Sequence, residues 1–574
     1  MQSQLFPPRW SETGSEIVAD RRHGSDGDIC AGHDRPSSCT QSQCGAAKGV
    51  SCACDTWRIR ASADLEVGYR GDIVSMLIPP ALAEGATLIA VDQVRHAANG
   101  SLHPKRKAEL GQFMTPVPVA RFMAALFAET PERARLLDAG AGVGSLTAAF
   151  MDRFGPSWVQ VAAYEVDPTM VEFLRGTLAR FEGSRFDGKL IQRDFIQDAV
   201  YNIKLGRMRQ GFTHAIMNPP YKKINSGSSH RALLRAVGLE TVNLYTAFVG
   251  LAIELMAPGG ELVAIIPRSF CNGPYYKPFR EWVFARASLD HLHLFDSRTS
   301  AFTDDAVLQE NVIIKLVRGK KQGLVTITSS SNTSFSDLRA HAYPFSQIVH
   351  EGDPQRFIHI PSSPTHGSLD SVPLATCSLD ELGLAVSTGP VVDFRLKEYL
   401  RAEPTPDSVP LLYPTHFSGG GLAWPRQSKK PNALVDAPET RKWMFPVGFY
   451  TVVRRFSSKE EPRRIVAHVV DPGMFGTNVL GFENHLNVFH SRKHGLDQDT
   501  AYGLSAFLNS TAVDEYFRRF SGHTQVNATD LRLLRYPTLT ELRQLGEWAR
   551  RAGRPAQMQI DEQVESLHGR RQNR

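Results

Sequence analysis

Residues Arg135-Leu-Leu-Asp-Ala-Gly-Ala-Gly-Val-Gly144 read as a short apolar strand running straight into a glycine-rich turn. Glycine accepts left-handed backbone and carries no side chain, so Gly140, Gly142 and Gly144 let the main chain approach a ligand closely. The helix that follows turns its unpaired amides towards the same point. Many nucleotide-binding proteins share such a turn. Here the spacing narrows the choice: Gly140-x-Gly142-x-Gly144 is not the Gly-x-Gly-x-x-Gly of dinucleotide binders, because Ser145 breaks that register.

From about Leu77 to Arg318 strand and helix patterns alternate, as in a wound α/β domain with a parallel sheet. Upstream of the turn, Val119, Phe122, Met123, Leu126 and Phe127 fall at helical spacing. Gly111-Gln-Phe-Met-Thr-Pro116 precedes them, with Thr115-Pro116 placed to open that helix. Downstream, Val159 to Tyr164 reads as a second strand, ending at Glu165-Val-Asp-Pro168. A carboxylate there is placed to accept both hydroxyls of a ribose, which makes Glu165 the candidate. The alternative role, an acid that starts a helix, is already filled by Asp167-Pro168. A third strand, Gly188 to Gln192, leads to Arg193-Asp194-Phe195, where Asp194 is either an acceptor for a ligand or a solvated loop acid.

The next apolar run, His214-Ala-Ile-Met217, stops at Asn218-Pro219-Pro220-Tyr221. Neither proline can donate to a sheet, so the chain is held stiffly at the carboxyl end of a strand. Open α/β sheets keep their active sites there. The Asn218 side-chain oxygen and the Pro219 carbonyl can both accept hydrogen bonds from one exocyclic amino group, and Tyr221 offers a flat face for a planar base. The residues from Tyr221 to Arg235 are rich in Ser, Gly, His and Lys and read as a mobile loop. Leu244, Phe248, Leu251 and Leu255 share one helix face, and that helix ends at Pro258-Gly-Gly260. A strand from Glu261 to Pro267 follows, and Val312 to Val317 reads as a late antiparallel strand.

His214 to Tyr221 resembles the motif of amino-methyltransferases that use S-adenosylmethionine, in the Asn-Pro-Pro-Tyr form typical of N6-adenine enzymes. Thr115-Pro116, Asp138 to Gly144, Glu165, Asp194-Phe195 and Asn218 to Tyr221 match the successive motifs of that class in order. The order itself resembles the gamma group of adenine DNA methyltransferases of type II restriction-modification systems, the Eco57I-like modification methylases. The resemblance implies a Rossmann-like α/β methyltransferase domain with a C-terminal α+β target-recognition domain. It implies that Thr115, Pro116, Asp138, Gly140, Gly142, Gly144, Glu165, Asp194 and Phe195 hold the cofactor, Asp194 accepting from its adenine amino group and Phe195 packing on its ring. Asn218, Pro219, Pro220 and Tyr221 would act at the target base, with Tyr276, or alternatively Tyr275, on the base's other face. Cys271 lacks the Pro-Cys context of a cytosine C5 nucleophile and reads as a small buried hydrophobe.

The chain has 574 residues and a formal net charge of +6, which permits a nucleic-acid partner. No stretch approaches the roughly 18 apolar residues of a membrane span, and the N-terminus lacks a signal pattern, so a cytoplasmic protein is expected. Cys30, Cys39, Cys44, Cys52 and Cys54 crowd the N-terminus near His23 and His33 but form no Cys-x-x-Cys pair. Residues 1–75 therefore read as a polar tail, or as preceding a true start at Met76, and no metal is required. Residues 76–320 read as the catalytic domain and 321–374 as a linker. Residues 375–545 read as a DNA-recognition domain, entered at Thr388-Gly-Pro-Val-Val-Asp-Phe-Arg395, and 546–574 as a frayed basic tail. Gly419-Gly-Gly421, Trp424 to Lys430 and the pairs Arg454-Arg455, Arg463-Arg464 and Arg518-Arg519 are candidates for phosphate contact. Ser521 to Asn527 and Arg535-Tyr-Pro537 resemble the closing pattern of such domains. The expected whole is a monomeric methyltransferase acting on double-stranded DNA, its cognate restriction endonuclease encoded separately. Cytosine N4 as target, or glutamine of a protein, are the alternatives.

Overall fold

The computed structural model describes residues 86–101, 114–128, 132–155, 157–207, 211–295, 310–360, 375–418, 421–457, 461–521 and 525–572. The N-terminal cysteines and histidines, Met76 and Gly111 to Phe113 lie outside the described residues. So do Gly419, Gly420 and residues 522–524.

Helices α1 (Ala86–Ser101) and α2 (Val117–Ala125) lead into a wound α/β unit. Its first half runs β1 (Arg133–Ala139), α3 (Ser145–Phe154), β2 (Trp158–Tyr164), α4 (Pro168–Ala179), β3 (Phe186–Ile191), α5 (Phe195–Lys204) and β4 (Phe212–Met217). Its second half runs α6 (Ser229–Arg235), α7 (Leu244–Leu255), β5 (Met256–Pro267), α8 (Lys277–Phe284), β6 (Ala287–Phe295), β7 (Asn311–Arg318), β8 (Leu324–Ser330) and β9 (Arg339–Pro344). The sheet order is β3-β2-β1-β4-β5-β7-β6-β8-β9. The first five strands are parallel, and β7 enters antiparallel between β5 and β6. That is the late antiparallel strand expected at Val312 to Val317.

The strand sequences explain this order. Leu136 and Leu137, Val159 and Val161, and Ala215 to Met217 are fully buried, as strands covered on both faces require. Helices α1 to α4 cover one face and α5 to α8 the other. Within α2, Val119, Phe122 and Met123 turn inwards, and Leu126 and Phe127 just past its end follow them. His214 sits in this apolar layer with its ring 5.2 Å from Phe127 and 5.3 Å from Phe150. Burial pushes its imidazole down to about 4, so it is a neutral core residue.

Two boundaries differ from the sequence reading. Residues 324–344, expected in a linker, supply β8, which pairs parallel to β6, and β9, which closes that edge. Their Ser and Thr lie in β8 and in the turn at 331–338, while the edge strand β9 is only partly buried along its length. Residues 546–572, expected as a frayed tail, are largely helical. Helix α11 (Leu539–Ala552) crosses α9 (Gln498–Leu508), and α12 (Gln557–Gln572) packs beside α10 (Thr511–Phe520). The crossing is very close: a Cβ on Gly546 would lie 1.8 Å from the Asp499 carbonyl oxygen, and one on Gly503 1.9 Å from that of Leu542. Glycine is what lets the two backbones meet there. Val564 and Leu567 of α12 are buried in the same cluster.

Between these parts lie a four-stranded antiparallel sheet (Ala385–Thr388, Leu486–His490, Tyr450–Arg454 and Ala467–Val470) and a mixed five-stranded one. The catalytic and C-terminal regions are tied through Arg268. Its guanidinium pairs with Glu310 at 2.6 Å and donates to the carbonyls of Arg518 and Arg519. Among the described residues no helix is long and apolar enough to cross a membrane.

Candidate active site

Because β1 to β4 run parallel, the residues that follow them gather at one edge of the sheet. After β1 the chain turns sharply: Gly140 and Ala141 donate to the Tyr164 carbonyl at 3.0 and 2.8 Å. Gly140, Gly142 and Gly144 all have positive φ (80°, 57° and 87°), which disfavours any side chain there. A Cβ at Gly142 would meet nothing within 4 Å, so that glycine opens onto free space. The space is a cavity of about 250 Å³. It is lined by Thr115, Gly140, Gly142, Glu165, Asp194, Phe195, Asn218 and Pro220, and also by Met114, Lys222, His230 and Phe248.

Glu165, 6% exposed, takes three backbone amides: Gly142 on Oε2 at 2.9 Å, and Val166 and Asp167 on Oε1 at 2.8 Å each. Burial raises its carboxyl above the ordinary range despite those amides. The neighbouring Asp167 accepts from Thr169 and caps α4, with Pro168 opening the helix, as the Asp-Pro pair implied. Asp194 caps α5 through Gln197 at 2.9 Å and receives His230 Nε2 on Oδ2 at 2.9 Å. Burial would raise the Asp194 carboxyl, but the His230 hydrogen bond and the helix amides hold it below its usual value. The same bond raises His230.

At the end of β4, Asn218 Nδ2 donates to Thr115 Oγ1 at 3.1 Å, which fixes the donor end of the amide. Thr115 stands just before Pro116, the cap of α2, whose carbonyl accepts from Ala120 at 3.0 Å. Tyr221 donates to the Ile265 carbonyl at 3.1 Å, and its ring stands edge-on to Tyr245 at 6.2 Å. Tyr245 in turn lies 6.0 Å from Tyr276, whose hydroxyl is held by Ser269 at 3.3 Å and by Asn243. Tyr275 is 75% exposed. Cys271 is fully buried and its thiol is pushed up to about 12, which removes it as a nucleophile.

Some expected residues stand behind the cavity rather than in its wall. Asp138 is fully buried under the turn; Thr147 Oγ1 donates to its Oδ2 at 2.6 Å, and burial pushes its carboxyl up to about 7. Gly144 is the N-cap of α3, and a Cβ there would lie 3.0 Å from Leu174 and from Thr177. Pro116 and Pro219 are not among the residues lining the cavity. The segment after Tyr221 is not the irregular loop its composition suggested. It contains α6, capped by Ser228 and clamped by Arg231 to Glu240 and the Thr241 carbonyl. His230 on α6 is one of the wall residues that the motif reading missed; nothing in its local sequence points to a partner 36 residues away.

The arginine pairs of the C-terminal region also turn out differently. Arg464 is 1% exposed and donates to Ser521; Arg518 is held by Asp514 at 2.7 Å and by the Glu461 carbonyl. Arg463 donates to the Ser510 carbonyl at 2.6 Å, and Arg454 pairs with Glu461. All four make contacts within the fold, and of the four Arg464 is the one that is fully buried. Arg426 to Lys429, by contrast, remain exposed. Among the described residues no group of three or more His, Cys, Asp or Glu side chains is placed to hold a metal.

A parallel sheet of this order, with one antiparallel strand beside its last parallel one and a glycine turn opening on acids of the next two strand ends, is the frame of the S-adenosylmethionine-dependent methyltransferases. Residues 179–302 match the family described as Eco57I restriction-modification methylase. The type II methyltransferase M.BsuBI of Bacillus subtilis is 49% identical over 491 residues, 84% of this chain and 98% of that one. The type II methyltransferase M.PstI of Providencia stuartii is 44% identical over 467 residues, 79% of this chain and 92% of that one. Among solved structures, DrdV in complex with DNA overlays on 80% of this chain and 59% of that one, with 12% identity and a TM-score of 0.47. The chain belongs to the type II DNA methyltransferases of restriction-modification systems, and its cofactor is S-adenosylmethionine.

Proposed function

We propose that the protein methylates N6 of an adenine within a specific duplex DNA sequence. The observation that carries the reading is Asn218. It stands at the carboxyl end of β4, in the wall of the cavity, with its amide nitrogen engaged by Thr115. Its oxygen and the Pro219 carbonyl then accept the two hydrogens of one exocyclic amino group. Accepting both turns the nitrogen lone pair out of the ring's conjugation and makes it a better nucleophile, an electrostatic gain set up before reaction.

Bound S-adenosylmethionine supplies an electrophilic methyl group; the chain supplies position. Glu165 takes the ribose hydroxyls, Asp194 the purine amino group, and Phe195 packs on the ring. Gly140 and Gly142 leave room for the cofactor, while Asp138 and Gly144 hold the turn from behind. N6 of a stacked adenine lies out of reach of such a site, so the base is turned out of the duplex. Tyr221 and Tyr276 flank it in this reading. The proton released from N6 passes to solvent.

The C-terminal region reads the sequence, with Arg426 to Lys429 and Phe394, 65% exposed, as the side chains open to DNA. The enzyme acts as a cytoplasmic monomer, and its methylation protects DNA from a separately encoded restriction endonuclease.

The test is methyl transfer from labelled S-adenosylmethionine to unmodified duplex DNA, by wild type and Asn218→Ala, followed by nucleoside analysis. N6-methyladenine from wild type alone is expected. N4-methylcytosine would keep the amino-group chemistry and overturn the base. Label in protein, with none in DNA, would sink the reading.

A further inference from the structure

Asp194 is tied to a helix that comes after the Asn-Pro-Pro-Tyr segment. Its Oδ1 is used by the Gln197 amide and its Oδ2 by His230 Nε2, each at 2.9 Å. Since an ionised carboxylate only accepts, the histidine must donate. About four acceptor positions exist on a carboxylate, so capacity remains for a donor from the cavity that both residues line. His230 does not reach Asp194 on a slack chain. Helix α6 is clamped by Arg231 and Arg235 to Glu240, and Lys222 and Ile224 pair with Leu244 and Val242 at its base.

We propose that His230 is a positioning residue of the cofactor site: by donating to Asp194 it sets the carboxylate as a fixed acceptor for a 6-aminopurine and makes the site reject 6-oxopurines. The inference rests on the reading that Asp194 takes the cofactor's purine amino group. A 6-oxo group presents an acceptor to an acceptor, and a site built for a donor discriminates strongly against a group that lacks one. Without His230 the carboxylate loses its second anchor. It can then rotate or take up a proton and become a donor, so both affinity and selectivity fall.

The experiment is calorimetric titration of the full chain with S-adenosylhomocysteine and S-inosylhomocysteine, using wild type, His230→Ala and His230→Gln. Wild type is expected to prefer the adenosyl compound by roughly a hundredfold or more. His230→Ala is expected to bind it about tenfold more weakly, the loss of one charge-assisted hydrogen bond, and to narrow the preference. His230→Gln keeps an N–H donor and restores both. In steady-state assays the loss falls on KM for S-adenosylmethionine and leaves kcat within about twofold at saturation. If thermal melting shows that the alanine variant does not fold, His230→Met removes the donor while keeping the bulk. Equal affinity and preference in wild type and the donor-free variants would overturn the role of His230. No preference in wild type itself would instead overturn the reading of Asp194, and the inference with it.

Discussion

The cofactor edge of the sheet and the C-terminal region handle their polar groups in opposite ways. At the sheet edge, Glu165, Asp194 and Asn218 each follow a strand; backbone amides hold the two acids, His230 adds to Asp194, and the Thr115 hydroxyl holds Asn218. Their positions are set by the strands, and their chemistry faces a cavity. In the C-terminal region several arginines that looked like phosphate contacts are engaged by distant parts of the same chain. Arg464 finds Ser521 57 residues away, and Arg518 finds the Glu461 carbonyl at the same separation. A polar group at a parallel strand end keeps its meaning because the backbone fixes it. A cation acquires its meaning from whatever the fold brings beside it.

The largest effect expected from this contrast is at Asn218. Replacing it with alanine should lower kcat by about three orders of magnitude, the scale of losing a positioned electrostatic group. Cofactor affinity measured by calorimetry should stay within a few fold. A parallel loss of affinity would mean that Asn218 builds the cavity and does not serve the reacting amine.

The next effect is on stability. Gly546→Ala puts a methyl group 1.8 Å from the Asp499 carbonyl oxygen, a backbone atom that cannot step aside without parting α9 from α11. A loss of about 3 kcal/mol or more is expected in urea unfolding, on the scale of severe overpacking. An unchanged midpoint would return residues 546–572 to the status of a tail.

Arg464→Ala should cost about 2 kcal/mol, because removing it leaves Asp530 without a nearby cation and Ser521 without its donor. Measured on folded protein, the slope of log DNA affinity against log salt should not change. A phosphate-contacting arginine would reduce that slope by about one.

The legible part of the molecule was the part written in local backbone chemistry. Three glycines at positive φ, a proline-stopped strand and an Asp-Pro helix start each require particular residue types at particular spacings, and all were found where expected. The segments misread were those whose role depends on distant partners. Residues 324–344 carry a Ser-rich turn at 331–338, but the strands on either side of it, β8 and β9, pair into the sheet. Gly503 and Gly546 look unremarkable in sequence, 43 positions apart, yet their helices touch only because neither has a side chain. His230 is one histidine in a Ser- and Gly-rich segment until α6 brings it to Asp194.

The last test concerns the acid behind the cavity. Asp138 lies fully buried, and among the described residues its Oδ1 has no hydrogen-bond partner, while Oδ2 is held by Thr147. Burial raises its carboxyl from 3.8 to about 7. A carboxyl whose pKa is raised on folding contributes its full stability below the unfolded value. That contribution is lost as pH rises towards the folded value, since the folded chain then holds a proton that the unfolded chain has released. Wild type should therefore lose stability relative to Asp138→Asn between about pH 4 and 7, and the difference should level off above that. The slope is bounded by about 1.4 kcal/mol per pH unit. Urea midpoints of both proteins at pH 5, 6, 7 and 8 give the difference directly, and other titrating groups largely cancel between them. Parallel curves would show that Asp138 is already ionised in the folded chain and that the turn shelters a charge. A wild-type loss relative to the Asn variant that levels off above about pH 7 would place it with the structural acids, apart from Glu165 and Asp194, which line the cavity.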